Sequence, residues 1–398
     1  MPAAREAVIV DTLRTPIGRR RGKLSGWHPT DLLAFALREL VERTEIDPER
    51  VDDVVGGCVT QVGEQSTNVI RNSWVAAGLP QTVAATTVDR QCGSSQQAVH
   101  FAAQGVIAGA YDLVVACGVE SMSRVPMATN ASGGQGPFSK GYLDVIQGQL
   151  MTQFEIAQIL ADKAGVTRED MDQLSAESHR RAHEATTSGA FASEILPVPV
   201  RDEEGNETGE VMAADEGIRP ETTMEVLAAL GSAAKWKPEI APDITAGNSS
   251  QTSDGAAAML IAERSFAERL GLPIRAAFRH FAVGGDDAVL VLSAPNPVTR
   301  KLLERSGMSI DDFDAIECNE AFAAVAAIWA QEFLPDGDRS RFNPRGGAVA
   351  LGHPLGATGV RLMTTLLNQL EATGGRYGFQ TMCEGGGMAN ATVIERLP

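Results

Sequence analysis

At 398 residues the chain is long enough for two or three domains, and its 40 glycines, 43% hydrophobic and only 5% aromatic content fit an α/β enzyme packed with small aliphatic side chains. A net charge of -17 argues against nucleic acid or an anionic membrane surface as partner. Five cysteines in neither disulfide nor zinc spacing point to a reducing compartment without a structural metal, and with no leader segment and no apolar run near the roughly 20 residues of a membrane span, the expectation is a soluble, cytoplasmic protein.

Strand-like and helical runs then alternate. AVIVDT (7–12) reads as a strand and LLAFALRELVERT (32–44) as a helix. DDVVGGCV (52–59) is a strand, TNVIRNSWVAAGL holds a helix, and ATTVDR, SSQQAVHFAAQGVIAG and DLVVACG (112–118) follow as strand, helix and strand. This order predicts a largely parallel sheet covered on both faces. From about 121 to 247 the pattern breaks into a Gly/Ser/Pro-rich loop, two helical stretches (151–165 and 168–185) and an acidic, irregular segment, EEGNETGEVMAADEGIRPETT. The scheme then repeats. TRKLLERSG (299–307) is a helix, DDFDAIECNEAFA (311–323) corresponds to DDVVGGCV, and GFQTMCEGGGM corresponds to LVVACGVESM. The helix after His353 corresponds to the one after Cys92, which reads as a duplicated fold.

Three glycine-flanked segments hold the reactive residues. GGAVALGHPLGATG (346–359) carries five glycines and His353 where loop turns into helix, a place suited to proton transfer or, more plainly, to an ordinary turn. Cys92 lies between a strand and a helix, so the helix dipole is expected to lower its pKa and favour the thiolate; the alternative is a small buried hydrophobe. Cys383 precedes Glu384 and three glycines whose freed N–H groups can line an oxyanion hole, or simply make a tight turn. In NEAFA, Asn319 is either an oxyanion donor or a helix N-cap. ITAGNSSQTSDGAAA (244–258) suits the wall of a narrow channel or a plain loop. Cys58, Cys117 and Cys318 read as core, and His28, His100, His179, His183 and His280 as surface or packing residues.

Taken together, these segments resemble the thiolase family, from AVIVDTLRTPIGR at the start to GGGMANATVIERLP at the end. The resemblance implies a five-layered α/β/α/β/α sandwich of two similar halves with an inserted loop domain. The divisions are 1–120 and 248–270 for the N-terminal half, 121–247 for the loop domain and 271–398 for the C-terminal half. It implies that Cys92 is the acylated nucleophile, His353 its base, and Cys383 the acid/base for the α-proton of the second substrate. Asn319 joins His353 in one oxyanion hole through a water, and the N–H groups of Cys92 and Gly385 make the other. Ala246, Gly247 and Ser250 line the channel for the pantetheine arm, while Lys235 and Lys237 are candidate phosphate contacts. Acyl-CoA and coenzyme A are the implied substrates, with no further cofactor, and a homodimer or homotetramer the implied assembly.

The chain departs from the family pattern at Asp89, Ser95 and Arg345, at Gln153 in place of a common histidine, and at Gly231 in place of a basic residue. These departures favour a longer or bulkier 3-oxoacyl-CoA over acetoacetyl-CoA synthesis, and the motif wording looks like actinobacterial catabolic thiolases. The alternatives are an acetyl-CoA C-acetyltransferase, a non-catalytic lipid-carrying relative, which should lack one of Cys92, His353 and Cys383, and a cysteine hydrolase, which leaves Cys383 unexplained.

Overall fold

Every residue of the strand Ala7–Arg14 is buried, which demands cover on both faces. The computed structural model, which describes residues 5–397, shows that cover. Val8, Val10 and Leu13 join a core with the helices Pro29–Thr44 and Val69–Ala76. Ala7 and Ile9 join a different one with the helices Ser94–Ala108 and Thr358–Thr373. A third core, around Phe313, Trp329 and Phe379, lies under the helices Pro295–Ser306 and Ala323–Phe333. The layers therefore run helix, sheet, helix, sheet, helix.

The strands follow one another in the order Ala315–Cys318, Tyr377–Glu384, Met388–Arg396, Ala276–Gly285, Ala7–Arg14, Ser253–Glu263, Leu113–Ser121, Asp53–Gly57, Ala84–Val88. Near the middle, Ala7–Arg14 and Ala276–Gly285 share only two Cα pairs, Val8 with Ala277 and Ile9 with Ala276. Each side of this seam has the same plan. Asp53–Gly57 is parallel to Leu113–Ser121, and Ala315–Cys318 to Tyr377–Glu384. The next strand inward, Ser253–Glu263 or Met388–Arg396, is antiparallel to both its neighbours. The duplication holds, but the sheet is mixed rather than largely parallel. Met388–Arg396 follows its neighbour through a glycine turn too short for a crossover, and Ser253–Glu263 enters only after the long excursion.

The excursion contains the helices Gln153–Ala164 and Arg168–Thr187. Its acidic segment is not irregular: Glu207–Met212 pairs antiparallel with Val198–Arg201. Asp202 Oδ1 closes that turn by accepting from Asn206 N–H at 2.8 Å, and the mostly exposed strand has no apolar alternation to betray it. Arg14 ties this region to the central sheet, donating to Glu194 at 2.7 Å and to both oxygens of Asp215 at 2.7 and 2.9 Å, all fully or nearly fully buried. Such a bidentate, hydrogen-bonded pair satisfies the charges that burial would otherwise penalise.

Two features bring the reactive loops together. The central helices start in backbone contact, for a Cβ on Gly359 would stand 2.1 Å from Gln96 N, so only glycine fits. Val360 N–H donates to Ser95 Oγ across the same contact at 3.1 Å. The second feature is the fully buried Glu120. It accepts from the N–H groups of Val59 (2.9 Å), Thr60 (3.0 Å) and Gly356 (2.9 Å) and from Gln65 Nε2 (2.8 Å). One carboxylate thus binds the loop after Asp53–Gly57 to the loop that carries His353. Glu120→Ala would orphan three buried backbone N–H groups, Gln65 Nε2 keeping its bond to Thr60 O, and is expected to cost about 3 kcal/mol or more. Thermal unfolding should show a marked fall in Tm, with Glu120→Gln losing less; an unchanged Tm for the alanine variant contradicts this role.

Candidate active site

Cys92 occupies a tight turn rather than the helix itself. Gln91 just before it has a left-handed φ of 48°, a conformation that a non-glycine residue holds only when its surroundings enforce it. Asp89 Oδ1 accepts from Gln91 N–H at 2.8 Å, and Ser94 Oγ accepts from Arg90 N–H at 2.9 Å while donating to Gln91 O at 2.6 Å. Cys92 packs against Val59, Met122 and Leu355. The backbone N–H groups of Gly385 and of Cys92 itself act on its sulfur, favouring the thiolate.

The expected depression of the Cys92 pKa is not found. Desolvation of the sulfur, then the Glu384 carboxyl, push it up to about 12, outweighing the two N–H groups. Burial also raises the Cys383 thiol well above its ordinary value, with Cys92 as the next cause. Both sulfurs are thiols at rest, so thiolate chemistry here needs a base.

His353 has the state a base requires. Its Nδ1 lies 2.7 Å from Thr358 Oγ1, and that hydroxyl donates its one proton to Pro354 O at 2.8 Å. Thr358 can then only accept, which puts the imidazole proton on Nδ1 and leaves a lone pair on Nε2. Burial, then Arg361, hold the pKa of His353 down to about 3. The ring is neutral across the physiological range, with its lone pair on Nε2.

Asn319 faces that lone pair, its Nδ2 lying 3.4 Å from His353 Nε2. Its backbone N–H donates to Thr381 O, on the strand that ends at Cys383 and Glu384. The helix beyond starts at Ala323 with Phe322 as its cap residue, so Asn319 is not an N-cap. Asn319 Oδ1 is buried without a protein partner. The adjacent Glu320 is structural, accepting from Ser178 Oγ at 2.7 Å, Asn343 Nδ2 at 2.8 Å and Val349 N–H at 3.2 Å.

The structure therefore brings Cys92, His353, Cys383, Asn319 and Gly385 to one end of the central helix layer. Ser250 is held beside them, its N–H donating to Ala321 O at 3.0 Å. Ala246, Lys235 and Lys237 are exposed and Gly247 half-buried, outward from this cluster along the chain. The departures from the family pattern have structural duties. Asp89 closes the Cys92 turn, Ser95 joins the two helices, and Arg345 donates to Ala190 O, Asn368 O and Gln369 Oε1. Glu120 and Thr358 escaped the sequence reading, although a lone carboxylate in the apolar run LVVACGVES was a signal for the first.

A cavity of about 900 Å³ elsewhere is lined by Glu320 and Asn343 but by none of Cys92, His353 and Cys383. Among the described residues no group of three or more His, Cys, Asp or Glu side chains is arranged to hold a metal, and no helix is long and apolar enough to cross a membrane.

Comparison with known proteins identifies the family. The thiolase N-terminal domain family matches residues 7–265 and the thiolase C-terminal domain family residues 272–396. A steroid 3-ketoacyl-CoA thiolase from Mycobacterium tuberculosis is 45% identical, over 98% of this chain and 94% of its own. A beta-ketoadipyl-CoA thiolase from Escherichia coli is 43% identical, over 99% of this chain and 100% of its own. Among solved structures, a Bacillus anthracis acetyl-CoA acetyltransferase superposes with a TM-score of 0.89 at 33% identity, covering 100% of both chains. Human mitochondrial 3-ketoacyl-CoA thiolase gives 0.87 at 31% identity, over 99% of this chain and 100% of its own. The chain belongs to the thiolase family.

Proposed function

We propose that the protein is an acetyl-CoA C-acyltransferase that cleaves a 3-oxoacyl-CoA with coenzyme A, and in reverse condenses two acyl-CoA molecules, through an acyl thioester on Cys92. The observation that carries this reading is the neutral His353, its Nε2 lone pair freed by the Thr358 contact, in one site with two protonated thiols. A thiol near 12 and an imidazole near 3 do not exchange a proton at rest. Transfer from Cys92 to His353 Nε2 must accompany bond formation.

In the cleavage direction the Cys92 sulfur attacks the 3-keto carbonyl as its proton passes to His353. The N–H groups of Cys92 and Gly385 stabilise the oxyanion formed there. The carbon–carbon bond breaks, and acetyl-CoA leaves as an enolate that Cys383 protonates. His353 with Asn319, through a water, stabilises the enolate oxygen. Coenzyme A then attacks the acyl thioester, its thiol proton going to the Cys383 thiolate, and His353 returns a proton to Cys92. Both thiols and the neutral imidazole are restored.

Ala246, Gly247 and Ser250 would line the pantetheine channel, with Lys235 and Lys237 toward the phosphates. The half-buried Phe154 stacks edge-on to Phe322 at 5.8 Å and lies 5.9 Å from Trp236. Phe322 is in the NEAFA segment that carries Asn319, and this aromatic wall supports a larger acyl group than acetoacetyl. The assembly we propose is a homodimer or homotetramer. Ala84–Val88 is the outer strand of the sheet, runs into the Cys92 turn and leaves its outer edge unpaired, which invites pairing with a second copy. Met127, Phe138 and Val145 stand exposed in the 121–145 loop as a further contact arm.

Three outcomes follow. Cys383→Ala should still take an acetyl group from acetyl-CoA onto Cys92, by intact mass, while carbon–carbon bond cleavage falls by about 10²- to 10⁴-fold; loss of acylation as complete as in Cys92→Ala contradicts the division of labour. Across 3-oxoacyl-CoA substrates of rising length, kcat/KM should climb about three- to fourfold per methylene until the pocket fills. If acetoacetyl-CoA is the best substrate, the protein is an acetyl-CoA C-acetyltransferase instead. Light scattering should give a dimer or tetramer, and a monomer at micromolar concentration removes the assembly proposal.

A further inference from the structure

We propose that Glu384 is a positioning residue that governs the ionisation of the two active-site thiols, with Arg90 as its opposing charge. The idea rests on the assignment of Cys92 and Cys383 as the reacting sulfurs. Glu384 ends the strand Tyr377–Glu384 and is fully buried. Its carboxyl lies against Gly93, the residue after Cys92: a Cβ there would stand 1.9 Å from Oε1. Both carboxyl oxygens are buried without a hydrogen-bond partner, and so is Arg90 Nε nearby. By contrast Glu120 has four donors and Glu320 three. Glu317, on Ala315–Cys318, is likewise buried without a partner, but it is set against Arg361 and is not among the groups acting on Cys92.

The charged and titratable groups around it come from several elements. Arg90 reaches it from the turn after Ala84–Val88 and Cys92 from the turn before Ser94–Ala108, while Cys383 precedes it on its own strand. Glu120, from Leu113–Ser121, also acts on Cys92, and Cys318, from Ala315–Cys318, on Cys383. A buried carboxylate without donors takes up a proton rather than remain ionised. Burial accordingly raises the Glu384 pKa to about 8, with Arg90 pulling the other way. Near neutral pH both thiols thus face an uncharged acid. At higher pH they face a like charge, which makes each thiolate harder to form. Glu384 keeps the alkaline rise in thiolate below what the sulfurs would otherwise reach.

Peptide-resolved alkylation of Cys92 by iodoacetamide, from about pH 6 to about pH 10, reads this without turnover. For the wild-type protein, log rate should climb with pH, flatten where Glu384 ionises, and climb again. Glu384→Gln should remove the flattening and react about tenfold faster at the alkaline end, the effect of one unit of thiol pKa. Glu384→Asp, which keeps the charge, should retain the flattening, and Arg90→Met should move it to higher pH. A Glu384→Gln profile that superimposes on the wild type, or keeps its flattening, overturns the proposal. Absence of acyl transfer in the wild-type protein would instead count against the acyltransferase reading, because alkylation reports ionisation alone.

Discussion

The arrangement of this site depends on one buried carboxylate. Glu120 stands at the end of an entirely buried strand and would be ruinous there without partners. Its partners are the backbone of the Val59–Thr60 loop, Gln65, and Gly356 in the His353 loop. Those loops come from opposite halves of the duplicated fold, so satisfying one charge also fixes the two halves against each other. The Gly359–Gln96 contact completes the junction, and the turn of Cys92 and the loop of His353 have no freedom to separate.

Burial then sets the chemistry. Burial pushes three groups of the site toward their neutral forms: Cys92 upward, His353 downward, Glu384 upward. The resting site holds little charge of its own, and in the mechanism proposed above the N–H groups of Cys92 and Gly385 would receive the negative charge that develops. Fixed dipoles in a water-poor site stabilise such charge without reorganising. The buried Arg14–Glu194–Asp215 cluster is built differently, each partner held by a direct hydrogen bond.

Much of this was legible in the sequence, for identifiable reasons. Strands buried on both faces, such as Ala7–Arg14 and Leu113–Ser121, are continuous apolar runs, and the glycines around Cys92, His353 and Cys383 mark where backbone approaches backbone. What was missed lies in contacts between residues far apart in the chain. Ser253–Glu263 pairs with Ala7–Arg14, so Thr12 meets Ala258, and no local pattern reveals that this strand enters antiparallel. The sign of the Cys92 shift was misread because the helix end is local and visible, whereas the burial that dominates it, and after that the sequence-distant Glu384, appear only in the fold. Thr358 is five residues from His353, yet its role is apparent only once its hydroxyl proton is accounted for.

The most direct test of the central claim is to trap the covalent intermediate with a 3-oxoacyl-CoA in the absence of coenzyme A and map it by mass spectrometry. The account predicts release of acetyl-CoA and a protein adduct bearing the acyl group shortened by that acetyl unit, located on Cys92. An adduct confined to Cys383, or acetyl-CoA release with no acyl group held on the protein, would contradict it.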